Sequence, residues 1–218
     1  MAKKEHTKMV TPPFRNSFPA VFVPKKVTKK RGGQDVTVNE YSLSALFRIK
    51  AVGKFLPDHP VLDEKGLAEF QALRDLASAA AVAEWGADKT KWPANLQSPF
   101  RAGSEKEYDG YDEGVAFCTF KSEYKPGLVG PDLQEIISPT EFYGGCFARA
   151  KVHAYAWTYM GKNGVSFSLW HLQKVKDGKG FGGGGDASKE FDALPVPAGA
   201  AAGAPTPTPA ATGGGFGL

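Results

Sequence analysis

Hydrophobic and polar positions along this chain alternate more often with a period of two than with a helical period. The run from Cys146 to Tyr159 is the longest example. One face carries Phe147, Arg149, Lys151, His153, Tyr155, Trp157 and Tyr159; the other carries Cys146, Ala148, Ala150, Val152, Ala154, Ala156 and Thr158. Side chains on a strand point alternately to opposite faces, so this spacing predicts a strand with an aromatic and cationic stripe on one side and small residues on the other. Tyr41, Leu43, Ala45, Phe47 and Ile49 likewise share a face, with Ser42, Ser44, Arg48 and Lys50 opposite and Leu46 the exception. That pattern predicts a half-buried strand. Further strands are expected at Phe14 to Val23, where Pro19 marks an edge or a bulge, at Val115 to Ser122, and at Val165 to Val175. Gly161-Lys162-Asn163-Gly164 is a hairpin-turn signal before the last of these.

One segment has the other period. From Asp63 to Trp85, Leu67, Phe70, Leu73, Ala77, Ala80 and Val82 or Trp85 form an apolar stripe, with Asp63 placed to cap the N-terminus and Gly86 to stop the helix. This helix is expected to pack as scaffold. Around these elements lie a cationic loop from Lys25 to Gln34, an irregular stretch from Asp88 to Gly114, and a proline-broken loop from Glu123 to Thr140. The resulting order is strand, strand, helix, strand, strand-turn-strand. It suits a mainly β, five-stranded barrel of the oligonucleotide-binding (OB) type, with a helical insertion between strands 2 and 3.

At 218 residues the chain is long enough for one domain with appendages. The expected division is a basic N-terminal arm at 1–12, the barrel domain at 13–177 and a disordered tail at 178–218. Twelve of the 26 glycines follow Asp177, and Leu194 to Leu218 has no charged residue, so that stretch offers little apolar surface to offset the entropy of ordering. Charge is uneven: residues 1–31 carry +8 and the remainder −4. A basic arm on a mildly acidic body suits a polyanionic partner. Cys118 and Cys146 both fall among apolar or small residues, which fits free thiols in a reducing cytoplasm better than a disulfide framework. No apolar core follows Met1 to Lys4, and no apolar run approaches the length of a membrane span. A cytoplasmic location with no membrane partner is the expectation.

The stripe on the Cys146–Tyr159 strand suggests a ligand. Flat rings stack on bases while Lys and Arg neutralise the phosphates between them, as single-stranded nucleic acid requires. In the opposite orientation the rings would fill the core and the alanines face water. Basic residues within the stripe weigh against that, because Lys and Arg are almost never buried unpaired. The candidate contacts on the strands are Arg149, Lys151, Tyr155 and Trp157, with Arg48 and Lys50 if the second strand shares the face. Lys29, Lys30, Arg31, Trp92 and Arg101 would flank them from loops, together with Lys25 and Lys26. Gly178-Lys179-Gly180-Phe181-Gly182-Gly183 matches GxGxxG formally, but no helix follows to receive a phosphate. The four histidines and two cysteines lack zinc-ligand spacing, and no paired carboxylates suggest acid/base chemistry. The reading is a binder without catalysis, metal or cofactor.

Longer motifs narrow this. Tyr124-Lys125-Pro126-Gly127-Leu128-Val129, Ile137 through Ala150 (with Phe142-Tyr143-Gly144-Gly145-Cys146-Phe147 at its centre) and Gly164 through Gly178 resemble a family of bacteriophage single-stranded DNA-binding proteins, related to the T7-like replication protein. The segments Arg15 to Pro24, Tyr41 to Leu46, and Pro93 to Gly103 are also similar, so the resemblance covers roughly residues 14–192. It implies an OB fold and protection of single-stranded DNA during phage replication or recombination in the host cytoplasm. Lys125, Tyr143, Arg149 and Tyr155 fall on the family's motif. Replication proteins recruited through the C-terminal region are the implied protein partners, and a homo-oligomer is compatible with the pattern. The sequence departs from related binders in its tail, where Asp186, Glu190 and Asp192 form only a small acidic cluster before a neutral end at Phe216-Gly217-Leu218. A strand-annealing protein and a virion-associated structural protein are the rival readings.

Overall fold

The computed structural model describes residues 7–52 and 59–181. Nine strands and one long helix are formed among them: β1 (Met9–Val10), β2 (Phe14–Arg31), β3 (Gln34–Arg48), α1 (Glu64–Trp85), β4 (Leu96–Gln97), β5 (Arg101–Ala102), β6 (Val115–Ser122), β7 (Gly127–Val129), β8 (Phe147–Tyr159) and β9 (Lys162–Lys176). The five long strands close on themselves. β2 pairs antiparallel with β3, β3 with β6, β8 with β9, and β8 returns to β2 through Phe14–Ala148; the β6–β9 contact is parallel. This is the expected five-stranded OB barrel, with the helix inserted between its second and third strands.

Alternation decides what fills the barrel. Leu43, Ala45 and Phe47 from β3, Cys118 and Phe120 from β6, Ala148, Ala150 and Val152 from β8, and Phe167, Leu169 and Leu172 from β9 are buried together. Phe14 lies edge-on to Phe47 and Phe120, both at 5.7 Å. The helix covers one end of this core. Asp63 caps it by accepting from the Gly66 amide at 2.7 Å, and Gly86 ends it at φ 84°. Its buried face is Gly66, Phe70, Leu73, Ala77 and Ala81, while Leu67 and Val82 of the expected stripe lie exposed.

Four expectations about boundaries change. The cationic Lys25–Gln34 segment is no loop: β2 and β3 stay paired from Lys25–Glu40 to Arg31–Gln34 and form a two-stranded arm. Its turn is Gly32-Gly33, both at positive φ, as a tight hairpin needs. The last hairpin turns earlier than its Gly-Lys-Asn-Gly signal suggests. Met160 and Gly161 take φ 47° and 73°, and Lys162 already pairs with Tyr159. At the N-terminus the expected arm is partly sheet, because Met9–Val10 pairs with β8 and the buried Thr11 hydroxyl accepts from the Ala150 amide at 3.1 Å.

The C-terminal boundary moves as well. Residues 178–181 of the expected tail are packed on the barrel. Arg15 donates to the Lys179 carbonyl at 2.7 Å and stacks on Phe181 at 4.3 Å, and the Phe181 amide bonds the Gly144 carbonyl at 2.9 Å. Phe181 joins a small cluster with Leu46, Tyr111, Val115 and Phe117. Leu46, the exception to the β3 alternation, faces this second cluster. The remainder of the expected tail, 182–218, lies outside the described residues, as do 1–6 of the N-terminal arm.

Candidate nucleic-acid interface

The orientation of β8 follows from the size of its small face. Ala148, Ala150, Val152 and Ala154 fit inside the barrel, so Arg149, Lys151, His153, Tyr155, Trp157 and Tyr159 face outward, half-buried or exposed. Phe147 is the member of the stripe that turns in. A register shift between Phe147 and Ala148 rotates it, and it is buried against His59.

The β2–β3 arm, the end of β6 and the outer face of β8–β9 enclose a groove of about 790 Å³. Lys29, Lys30 and Arg31 reach it from the arm, Lys121, Glu123 and Tyr124 from β6 and the residues after it, and His153, Tyr155, Trp157 and Tyr159 from β8. Trp157 is held flat. Its Nε1 donates to the Ser166 hydroxyl at 2.9 Å, and its ring lies against Gly164, where a Cβ would collide with it. Burial pushes the half-buried Tyr155 hydroxyl above its ordinary range, so it is neutral at physiological pH.

Three of the four Lys and Arg side chains lining the groove are already paired with carboxylates. Glu123 accepts from Lys29 at 3.0 Å and from Arg31 at 2.6 Å, and Glu40 accepts from Lys121 at 2.9 Å with Lys29 at 3.6 Å. Burial alone would raise the Glu123 carboxyl. The hydrogen bonds from Lys29 and Arg31 outweigh it and hold the group below the usual carboxylate range. Glu123 thus holds both Lys29 and Arg31 beside the arm.

The other expected contacts lie elsewhere. Arg48 is 3% exposed and ion-paired with Asp112 at 2.6 Å. It sits eight residues beyond Glu40 on β3, roughly 26 Å along the strand from the groove. Arg48 is therefore corrected from a surface contact to a buried structural cation, and the exposed Lys50 shares its end of the barrel. Trp92 donates to the Gly86 carbonyl at 2.8 Å beside Trp85, at the end of the helix. Arg101 pairs with Glu105 at 2.6 Å and lies over Phe117, on the stretch of β6 away from the groove. Tyr143 donates to Asp177 at 2.9 Å and so helps fasten the segment after β9. Arg149 is half-buried and donates to the Thr11 carbonyl at 3.4 Å. Lys125 is exposed in the segment that follows Tyr124, and Lys151 is exposed on β8 beyond His153.

The sequence reading placed His153 and Tyr159 on the stripe without naming them as contacts, and it did not single out Lys121 or Tyr124 for the groove. Tyr124 is 84% exposed at the groove's rim, and the Tyr-Lys-Pro loop signature was the available signal. Among the described residues no cluster of three or more histidine, cysteine or acidic side chains is placed to hold a metal, and no helix is long and apolar enough to cross a membrane.

A family model described as Enterobacter phage Enc34, ssDNA-binding protein, matches residues 7–200. The chain belongs to this family. Among curated proteins, protein p50 of Acyrthosiphon pisum secondary endosymbiont phage 1 is 38% identical over 96 residues, covering 43% of this chain. The match takes in about half of that relative, 51% of its length. Solved structures of phage proteins share the fold. The single-stranded DNA-binding protein from bacteriophage Enc34 in complex with ssDNA superposes with a TM-score of 0.53 at 18% identity, covering 80% of this chain and 89% of that one. The bacteriophage T7 single-stranded DNA-binding protein gp2.5 gives 0.51 at 15% identity, covering 88% and 98%.

Proposed function

We propose that this family member binds single-stranded DNA without sequence preference in the groove between the β2–β3 arm and the outer face of β8. It would coat strands exposed during phage DNA replication and recombination in the host cytoplasm. One observation carries the reading: the aromatic and cationic stripe faces out of the barrel and lines an open groove edged by Lys29, Lys30 and Arg31. Tyr155 and Trp157 present rings to bases, with Tyr124 and Tyr159 at the rim. The arm cations exchange Glu123 for phosphate as the strand enters. Neither stacking nor phosphate contact reads base identity, so affinity depends on composition only weakly. Family membership and the fold shared with the phage Enc34 protein support the same reading. Phage replication proteins would be recruited through the C-terminal region, where Asp186, Glu190 and Asp192 supply the charge.

Titration with oligo-dT, followed by tryptophan fluorescence, tests this. Each stacked base is worth about 1–3 kcal/mol by alanine substitution, so Tyr155→Ala and Trp157→Ala should each weaken binding by roughly 5- to 150-fold. Unchanged affinity in both folded variants would refute the groove as the binding site.

A further inference from the structure

β8 and β9 pair without interruption from Tyr159–Lys162 to Val152–Leu169, then resume at Lys151–His171. The residue skipped is Trp170. This bulge puts both Trp170 and His171 on the outside of the barrel. Trp170 does not dangle there. Its Nε1 donates to His153 Nδ1 at 2.7 Å, and the two ring centroids are 6.0 Å apart. His153 in turn lies 6.1 Å from Tyr155, within the groove. A line of rings therefore leaves the groove and ends on an indole that is 40% exposed.

Charge distinguishes this end of the line. Inside the groove Lys29, Arg31 and Lys121 are each neutralised by Glu40 or Glu123, which leaves Lys30 as the one lining lysine or arginine without a carboxylate among the described residues. Beside Trp170, β1 crosses the edge of β8 and carries Lys8 over the indole, with Nζ 3.3 Å from the ring centroid. Lys151 is exposed next to it, opposite both Val10 and His171. Among the described residues, neither Lys8 nor Lys151 is ion-paired with a carboxylate. A cation on a ring face keeps its charge and remains a partner for phosphate.

Resting on the groove reading, we infer that the DNA path continues out of the groove over His153 to a second station, where a base stacks on Trp170 and Lys8 and Lys151 hold the flanking phosphates. To admit the base, Lys8 slides off the indole and onto the backbone. The ring spacing of about 6 Å exceeds the roughly 3.4 Å rise per nucleotide of a stacked strand, so the station takes an extended single strand and rejects a duplex.

The test uses the full chain and two oligo-dT lengths, about four nucleotides to fill only the groove and about twelve to reach beyond it. The proposal expects Trp170→Ala to weaken the longer oligonucleotide by about 5- to 150-fold and the shorter by less than about twofold. Trp170→Phe, which keeps a ring, should recover part of the loss. Lys8→Gln combined with Lys151→Gln should flatten the salt dependence of the longer oligonucleotide by about 1.4 in log–log slope. Wild-type affinity of Trp170→Ala for the longer strand overturns the proposal. So does an equal loss at both lengths, which would make Trp170 a support of the groove. If Trp157→Ala weakens both lengths while Trp170→Ala weakens neither, the groove stands and the second station falls. A wild-type protein that binds neither length removes the groove reading itself.

Discussion

Arg31 and Arg48 each sit 2.6 Å from a carboxylate oxygen, yet they belong to different kinds of site. Arg31 meets Glu123 with 56% and 28% of the two side chains exposed; Arg48 meets Asp112 with 3% and 12% exposed. An exposed pair contributes only about 0–1 kcal/mol, so on the proposed groove reading an arriving phosphate would replace Glu123 at little cost. A buried pair cannot exchange partners, because removing either member strands a charge in low dielectric. The same N–O distance therefore goes with a solvent-exposed contact at the arm and a fixed one at the far end of β3. Solvent decides which.

The largest effect expected from this contrast is on the fixed pair. Arg48→Ala should destabilise the fold by about 3–5 kcal/mol in denaturant melts, while any protein that remains folded binds oligo-dT normally. A matching loss of DNA affinity would return Arg48 to the interface.

Next comes His59, buried near the same pair, with its pKa lowered to about 4 by burial and then by the charges of Arg15 and Arg48. The unfolded chain takes up a proton near pH 6.5 and the folded chain does so only near 4. Stability is therefore full above the unfolded value and falls as pH drops through this window, by about 3 kcal/mol in all. Melts of wild type and His59→Phe between pH 7 and 4 should show the steeper fall in wild type. Parallel curves would mean that His59 is not the titrating group.

Within the groove, Gly164→Ala should displace the Trp157 ring and weaken oligo-dT binding by about 1–3 kcal/mol, with a smaller change in melting. Unaltered affinity would show that the ring's seat on Gly164 is irrelevant to binding.

The smallest expected effect is on the replaceable pair. Glu123→Gln should change stability by less than about 1 kcal/mol, yet raise affinity at low salt and steepen the salt slope by up to about 1.4, since Lys29 and Arg31 would then release solution counterions. A salt series with oligo-dT measures this, and an unchanged slope would separate Glu123 from the phosphate path. The sign with pH is fixed too. The depressed Glu123 pKa gives stability that is present above the unfolded value and lost as pH falls through the folded one.

Much of the barrel was legible because alternation and capping are local. Cys146–Tyr159 could bury only its small side chains without crowding, and Asp63 with Gly86 framed the helix. The arm was less legible: Lys25–Arg31 is too cationic to read as strand, and it holds that form because Lys25 to Arg31 pairs with Gln34 to Glu40 across the turn. Residues 178–181 read as tail by composition, yet Arg15, Gly144 and Gly145 give them a seat. Among the candidate contacts, Lys29, Lys30, Arg31, Tyr155 and Trp157 converge on one groove, while Arg101 is taken by Glu105 four residues on, and Trp92 and Tyr143 by Gly86 and Asp177, which no spacing rule names.

By itself the sequence determined the periods of its strands, the place of its helix and the two-faced chemistry of β8, because those depend on residues a few positions apart. Only the tertiary structure decided which cations meet water and which carboxylates they meet. Burial and pairing are set by chain segments brought together from about 64 to 164 positions away, as Arg48 with Asp112 and Arg15 with Lys179 demonstrate.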